Sequence, residues 1–285
     1  MYAITGATGQ LGRLVINALL RTVPADQIIA AVRSPEKAQD LADLGVVVRK
    51  ADYAQPDTLD AAFNGVDKVL LISSNEMGQR QVQHQVVIDA AQRAGVKLLA
   101  YTSLLHADSS PLGLGADHRA TEAALAGSGL PVVVLRNGWY TENYAASIAP
   151  ALAHNAFIGS AGEGRIASAA RIDYAEAAAA ALVLDEQAGK IYELAGDTSY
   201  SLAEFVAEIA RQSGKSVDYV NLPESDFAQA LIAAGLPEVL SLMLADSDVG
   251  VSKGGLFDDS HTLSKLIGRP TTDYKVVIAD TLASL

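Results

Sequence analysis

Cysteine is absent from the 285-residue chain, and histidine, methionine and tryptophan are sparse, at five, three and one. Without a thiol there is no disulfide, no thiolate nucleophile, no redox-active dithiol and no iron–sulfur cluster held by cysteine. His84, His106, His118, His154 and His261 show no metal-ligand spacing, so no metal site is expected. The run Asp246-Ser247-Asp248-Val249-Gly250 has Val251 and Phe257 where a calcium loop needs its Gly and Glu. Basic residues are outnumbered, 21 against 33 acidic, for a formal charge of −12. That balance argues against a nucleic-acid partner, which would require a basic face. No apolar run approaches the roughly 20 residues of a membrane helix. No basic-then-apolar leader precedes the first strand, so the expectation is a cytoplasmic protein with no membrane partner. With 50% apolar and 19% charged residues, the chain can build a sizeable core as one large domain or a domain with an appended lobe.

The organising stretch is the start, where Tyr2-Ala3-Ile4 leads into Thr5-Gly6-Ala7-Thr8-Gly9-Gln10-Leu11-Gly12. Apolar residues, three glycines at three-residue spacing and an amphipathic run (Leu11, Leu14, Val15, Ala18, Leu19) predict strand, tight turn and helix. Gly6 permits a sharp turn off the strand. Gly9 lets backbone N–H groups approach a pyrophosphate at the positive end of the helix, and Gly12 permits close packing of helix on strand. The motif follows a strand and opens a helix, the context that a dinucleotide site needs. Its G-x-x-G-x-x-G spacing points to the short-chain dehydrogenase/reductase branch.

Ile28 to Val32 reads as the second strand and ends on Arg33-Ser34-Pro35. An NAD-specific site tends to carry an acid there for the ribose 2′-hydroxyl. A cation suits a 2′-phosphate instead, so Arg33 favours NADP over NAD, with a solvated arginine at a strand end as the alternative. Pro35 to Ala38 opens a second helix ending at Gly45, and a third strand runs from Val46 to Asp52-Tyr53. Asp52 is either an acceptor for the adenine amine or a turn former. Strand four, Val69 to Ile72, delivers Ser73-Ser74-Asn75 to its carboxyl end, where ligands of open α/β sheets lie. Helix Gln79–Ala94 follows, then strand five over Leu98–Tyr101 and strand six over Val132–Leu135. Six strands alternating with helices predict a doubly wound parallel (Rossmann) α/β sheet over residues 1–140. A smaller substrate-side lobe spans 141–285, and Ile191 to Leu194 is a candidate return to the main sheet.

Reductases of alcohols and ketones in this branch carry Tyr-x-x-x-Lys, the Lys lowering the phenol pKa. No tyrosine of this chain has a lysine four residues on. At the corresponding place stand His118 and Glu122, either an acid oriented by a carboxylate or a surface pair on a solvated helix. Weak acid–base equipment suits hydride transfer to a quinone, whose reduced form is a stabilised phenolate-like anion that takes its proton from water.

The run Ile4 to Gly12, with Tyr101-Thr102-Ser103-Leu104-Leu105-His106-Ala107-Asp108 and Leu135 to Asn143, resembles the NmrA-like atypical short-chain reductases. The tail Leu244 to Gly250 followed by Lys253 to Ser260 is similar to the bacterial NADPH-dependent quinone oxidoreductases of type 2. The resemblance covers essentially the whole chain. It implies a cytoplasmic enzyme passing hydride from NADPH to quinones. It also implies that Gly6, Ala7, Thr8, Gly9, Gln10 and Leu11 wrap the pyrophosphate and Arg33 takes the 2′-phosphate. Ser73, Ser74 and Asn75 would flank the ribose and nicotinamide. Asn137, Gly138, Trp139, Tyr140, Thr141 and Glu142 would border the nicotinamide and acceptor slot. Asn143 would hydrogen-bond an acceptor carbonyl as the catalytic residue, and Arg171 would lie near the cofactor. On the residues alone, Arg171 could equally pair with Asp173, and Trp139 and Tyr140 are as plausible in a core as beside a quinone. Two other functions fit the same motifs: a dinucleotide-sensing regulator without turnover, and a reductase of another flat conjugated acceptor such as a triphenylmethane dye.

Overall fold

A computed structural model describes residues 1–76 and 78–285. In chain order its elements are β1 (Tyr2–Thr5), α1 (Gln10–Leu19), β2 (Ile28–Val32), α2 (Gln39–Asp43), β3 (Val47–Lys50), α3 (Pro56–Phe63), β4 (Lys68–Leu71), α4 (Arg80–Ala94), β5 (Leu98–Leu104), α5 (Gly115–Gly127) and β6 (Val132–Asn137). They continue as α6 (Thr141–Ala145), α7 (Ile148–His154), β7 (Ala156–Gly159), α8 (Arg171–Val183), β8 (Ile191–Leu194), α9 (Leu202–Ser213), β9 (Asp218–Asn221), α10 (Glu224–Ala233), α11 (Glu238–Ser252), α12 (Thr262–Ile267) and α13 (Tyr274–Ala283).

Seven strands form the main sheet in the order β3-β2-β1-β4-β5-β6-β8, and β7 pairs with β9 in a second sheet. The β1–β2, β2–β3, β1–β4 and β4–β5 pairings are all parallel. The chain winds from β1 out to β3, returns to place β4 on the other side of β1, and winds the opposite way. That reversal leaves a crevice at the carboxyl ends of β1 and β4, where ligands of doubly wound sheets bind. The Ile191–Leu194 segment does enter the main sheet, as β8.

Two compact units make up the chain. The first comprises Met1–Ser103, Asp117–Arg136 and Ile172–Tyr192; the second comprises Leu104–Ala116, Asn137–Arg171 and Glu193–Leu285. In the first, every residue of β2 is buried, as its unbroken apolar sequence requires of a strand covered on both faces. Leu59, Phe63, Val69, Leu71, Val87, Ile88 and Tyr101 belong to the core on one side of the sheet. In the second unit an aromatic cluster takes that role, with Tyr200 stacked 5.3 Å from Phe205 and tilted against Tyr274 at 4.3 Å. There α9 opens on a reciprocal capping box between Ser201 and Glu204. Buried Asp248 of α11 accepts from Tyr144 Oη at 3.1 Å and from the Ser160 amide at 2.8 Å. Burial pushes its carboxyl up to about 6.

Several boundaries differ from the sequence reading. Strand β3 stops at Lys50 rather than at Asp52-Tyr53. Asp52 instead folds a turn, its Oδ1 accepting from the Ala54 amide and its Oδ2 from Gln55 Nε2. Strand β5 runs on to Leu104 and β6 to Asn137, both buried to their ends. Pro35–Ala38 forms a 3₁₀ turn before α2 rather than a continuous helix. Among the described residues no helix is long and apolar enough to cross a membrane, and no group of His, Cys, Asp and Glu could hold a metal.

Candidate functional site

The turn after β1 is shaped by its own backbone. Gly6 has φ +60°, a value that costs a side-chain-bearing residue strain. The Gly9 amide donates to the Gly6 carbonyl at 2.9 Å, and the Arg13 amide to the Gly9 carbonyl at 3.1 Å. A Cβ on Gly12 would sit 2.5 Å from Gly6 O and 2.7 Å from the Ala7 Cα. The third glycine is therefore demanded by the turn it closes rather than by helix-on-strand packing. Gly9 caps α1 without a side chain, and the first turn holds no acidic residue. The leading N–H groups of α1, at Gln10 and Leu11, have no intrahelical acceptor and point toward an anion's position at the dipole's positive end. Ala7 and Leu11 are buried, Thr8 is half-buried, and Gly6, Gly9 and Gln10 are exposed. The nearby cation Arg13 braces the turn, its Nε donating to the Thr8 carbonyl at 3.2 Å, while its other nitrogens engage Asp40 and the Lys37 carbonyl at 2.9 Å.

Arg33 leaves the end of β2 with 70% of its side chain exposed, and its Nη1 meets Glu76 Oε1 at 2.8 Å. One guanidinium edge is thus paired, and the planar fork has further donors to offer a phosphate.

After β4, the Ser73 amide donates to Thr102 Oγ1 at 2.9 Å and the Ser74 amide to His84 Nε2 at 2.9 Å. Ser74 Oγ donates to Gln83 Oε1 at 2.5 Å, and Arg80 Nε donates to the Ser74 carbonyl at 2.8 Å. Ser73 Oγ is buried and meets no protein partner of hydrogen-bonding geometry among the described residues, while Asn75 is exposed.

The His118–Glu122 pair does not form. His118 is buried, and its Nδ1 lies 2.7 Å from Tyr101 Oη. Burial, reinforced by the charge of Arg80, pushes it down to about 3, so it is neutral and no surface cation. Burial pushes the Tyr101 phenol up to about 12. Glu122 turns to other partners, accepting from Ser103 Oγ at 2.5 Å and from Arg136 Nε and Nη2 at 3.0 and 2.8 Å. Both sequence readings of that pair are corrected: tertiary partners on β5 and β6 outcompete the i,i+4 neighbour. His84 belongs to no motif, yet the sequence carries a signal for it. Arg80, His84, Val87, Ile88 and Ala91 are all buried on one stripe of α4, and a polar residue in such a stripe must find a partner.

The second unit groups the other candidates. Asn137 Oδ1 is buried and meets no partner of hydrogen-bonding geometry among the described residues. The Gly138 amide donates to the Leu194 carbonyl at 2.7 Å, and Trp139 is buried with its carbonyl accepting from the Ala169 amide at 3.2 Å. Thr141 Oγ1 lies 2.8 Å from Ser168 Oγ, which lies 2.6 Å from Tyr200 Oη. Glu142 accepts from the Arg171 amide with both oxygens, at 2.9 and 3.0 Å. The Arg171 guanidinium stacks 4.8 Å over the half-buried Tyr140 ring and reaches Asn143 Oδ1 at 3.4 Å. Burial raises the Tyr140 phenol, and Asn143 is exposed. Arg171, Glu142, Asn143 and Tyr140 thus form one cluster, with a cation and one side-chain amide in reach of a polar ligand.

A parallel sheet whose strand order reverses, with a glycine turn feeding a bare helix N-terminus at the reversal, defines a dinucleotide-binding protein. The cradle fits such a cofactor: an uncapped N–H ring, a cation without a neighbouring ribose acid on its own strand end and, among the described residues, a buried Ser73 hydroxyl oxygen without a partner of hydrogen-bonding geometry. Residues 6–184 match the NAD(P)H-binding family, and this chain belongs to it. It is 61% identical over 95% of both chains to Quinone oxidoreductase 2 of Escherichia coli. The crystal structure of an NADPH-dependent quinone oxidoreductase from Escherichia coli complexed with NADPH superposes with TM-score 0.95 at 59% identity, over 100% of this chain and 99% of that one. The triphenylmethane reductase of Citrobacter sp. complexed with NADP(H) superposes with TM-score 0.94 at 38% identity, over 99% of this chain and 100% of that one.

Proposed function

We propose that this chain is an NADPH-dependent quinone oxidoreductase acting in the cytoplasm. The observation that carries the reading is the near full-length likeness, at 61% identity, to a quinone oxidoreductase. Bound NADPH supplies a hydride; the chain supplies binding, orientation and exclusion of water. In this reading Gly6 to Leu11 wrap the pyrophosphate, which the N–H groups of Gln10 and Leu11 receive. Arg33 exchanges Glu76 for the 2′-phosphate. Ser73, Ser74 and Asn75 serve the ribose and nicotinamide, with Ser73 Oγ finding there a partner that it lacks among the described residues. Asn137 to Glu142 and Arg171 serve the nicotinamide side, and Asn143 donates to an acceptor carbonyl. No Tyr–Lys pair is present to protonate an alkoxide, which favours an acceptor whose reduced anion is already stabilised. The test is NADPH oxidation, followed by nicotinamide absorbance, with and without a small benzoquinone. Turnover above background, weaker with NADH, is the expected result. Tight NADPH binding without oxidation by any acceptor would point to a dinucleotide sensor. Fractionation tests the location.

The likeness to a triphenylmethane reductase at 38% identity favours a second acceptor class. A panel holding both quinones and triphenylmethane dyes ranks the two by kcat/KM.

A further inference from the structure

The main chain of Ser74 is held on both sides of its Cα by one helix. Its amide donates to His84 Nε2 at 2.9 Å, and its carbonyl accepts from Arg80 Nε at 2.8 Å. Arg80 and His84 are four residues apart on α4, so one helical face presents both groups to the two successive peptide units that meet at Ser74. A backbone N–H can only donate, so His84 Nε2 must offer a lone pair and the neutral ring must carry its proton on Nδ1. That nitrogen has a suitable acceptor: Thr121 Oγ1 lies 2.9 Å away and itself donates to the Asp117 carbonyl at 3.1 Å. Every bond in the chain from Ser74 to Asp117 therefore has a fixed direction. The ring is 1% exposed, with Tyr101 of β5 edge-on at 5.4 Å. Arg80 of α4 pairs with Asp117 of α5 at 3.1 Å, which also anchors the other arm of the grip.

We propose that Arg80 and His84 form a clamp on the main chain of Ser74, and that His84, as the Nδ1–H tautomer, is a positioning residue holding the Ser73–Asn75 loop in its cofactor-binding shape. Burial, with Arg80 nearby, keeps the imidazole neutral and accepting, its pKa pushed down to about 3. The proposal rests on the reading that this loop serves the nicotinamide ribose.

The experiment uses the full chain, wild type and with His84→Gln or His84→Leu. Nitrogen-15 spectra of the wild type are expected to show His84 protonated at Nδ1 and bare at Nε2, and NADPH is expected to move the Ser74 amide resonance. Gln retains a carbonyl acceptor and is expected to keep the NADPH Kd within about threefold. Leu leaves the Ser74 amide unpaired and is expected to weaken NADPH about tenfold while speeding Ser74 amide exchange. A proton on Nε2 overturns the clamp. So does a folded Leu variant with wild-type affinity, or equal weakening by Gln and Leu, which would assign His84 to packing alone. If the Leu variant does not fold, the tautomer and the Gln variant decide the matter. Tight NADPH binding with an unmoved Ser74 amide overturns the loop's cofactor role, and the proposal's purpose with it, whatever the tautomer measurement gives.

Discussion

The turn after β1 and the loop after β4 lie at the carboxyl ends of adjacent strands, yet they are held by different means. Gly6 to Gly12 is held chiefly by main-chain bonds between residues three and four apart, with one side chain, Arg13, added at the Thr8 carbonyl. Ser73 to Asn75 is held by side chains of Thr102, His84, Gln83 and Arg80, which arrive from β5 and α4. A main-chain turn is specified by what is missing, a Cβ, and tolerates nothing added. A side-chain-held loop is specified by what is present, and it weakens by steps as partners are removed.

The largest effect is expected where the first kind of specification is broken. Gly12→Ala puts a methyl against Gly6 O and Ala7 with no side chain able to yield. Loss of detectable NADPH binding and about 3 kcal/mol of stability are expected, read by calorimetric titration and urea unfolding. Next comes Arg33→Ala, which leaves the turn intact and removes only a charge-assisted contact. It should weaken NADPH about 30-fold and NADH less than about threefold; equal weakening in fluorescence titrations would remove Arg33 from the 2′-phosphate. Asn143→Ala is expected to lower turnover about tenfold with NADPH affinity unchanged, and wild-type turnover would clear it of a chemical role. The smallest effect extends the contrast to the second unit, where the Asp248 carboxylate holds Tyr144 and Ser160. Its folded pKa, about 6, lies above the usual carboxylate value of 3.8. Its contribution to stability is therefore fully present below about pH 4 and is lost as pH rises through 6. Asp248→Asn should be more stable than wild type by about 1 kcal/mol at pH 8 and equal to it at pH 4. Denaturation at the two pH values checks the sign.

The same contrast explains what could be read without coordinates. Strand β2 was legible to the residue, because five apolar residues before Arg33-Ser34-Pro35 leave little freedom. The glycine turn was legible because its determinants are local. Strand β3 was misjudged at its end, because Asp52 closes a turn onto Ala54 and Gln55 through its own side chain. His118 and Glu122 were misread for the opposite reason: their partners, Tyr101, Ser103 and Arg136, come from two other strands. Helical spacing places two residues on one face but does not say what that face meets. His84 carried no motif at all. Its stripe on α4 marked it as buried, and only the fold supplied the Ser74 amide that gives the ring a task.

The missing cysteine has a chemical consequence of its own. Quinones are electrophiles that add to thiolates, and thiolates are the strongest nucleophiles that ordinary side chains offer. A chain with no sulfhydryl cannot form that adduct. Under the proposed activity, the enzyme meets its substrate at high local concentration with no sulfhydryl for it to arylate, so resistance to self-inactivation at sulfur is written into the composition.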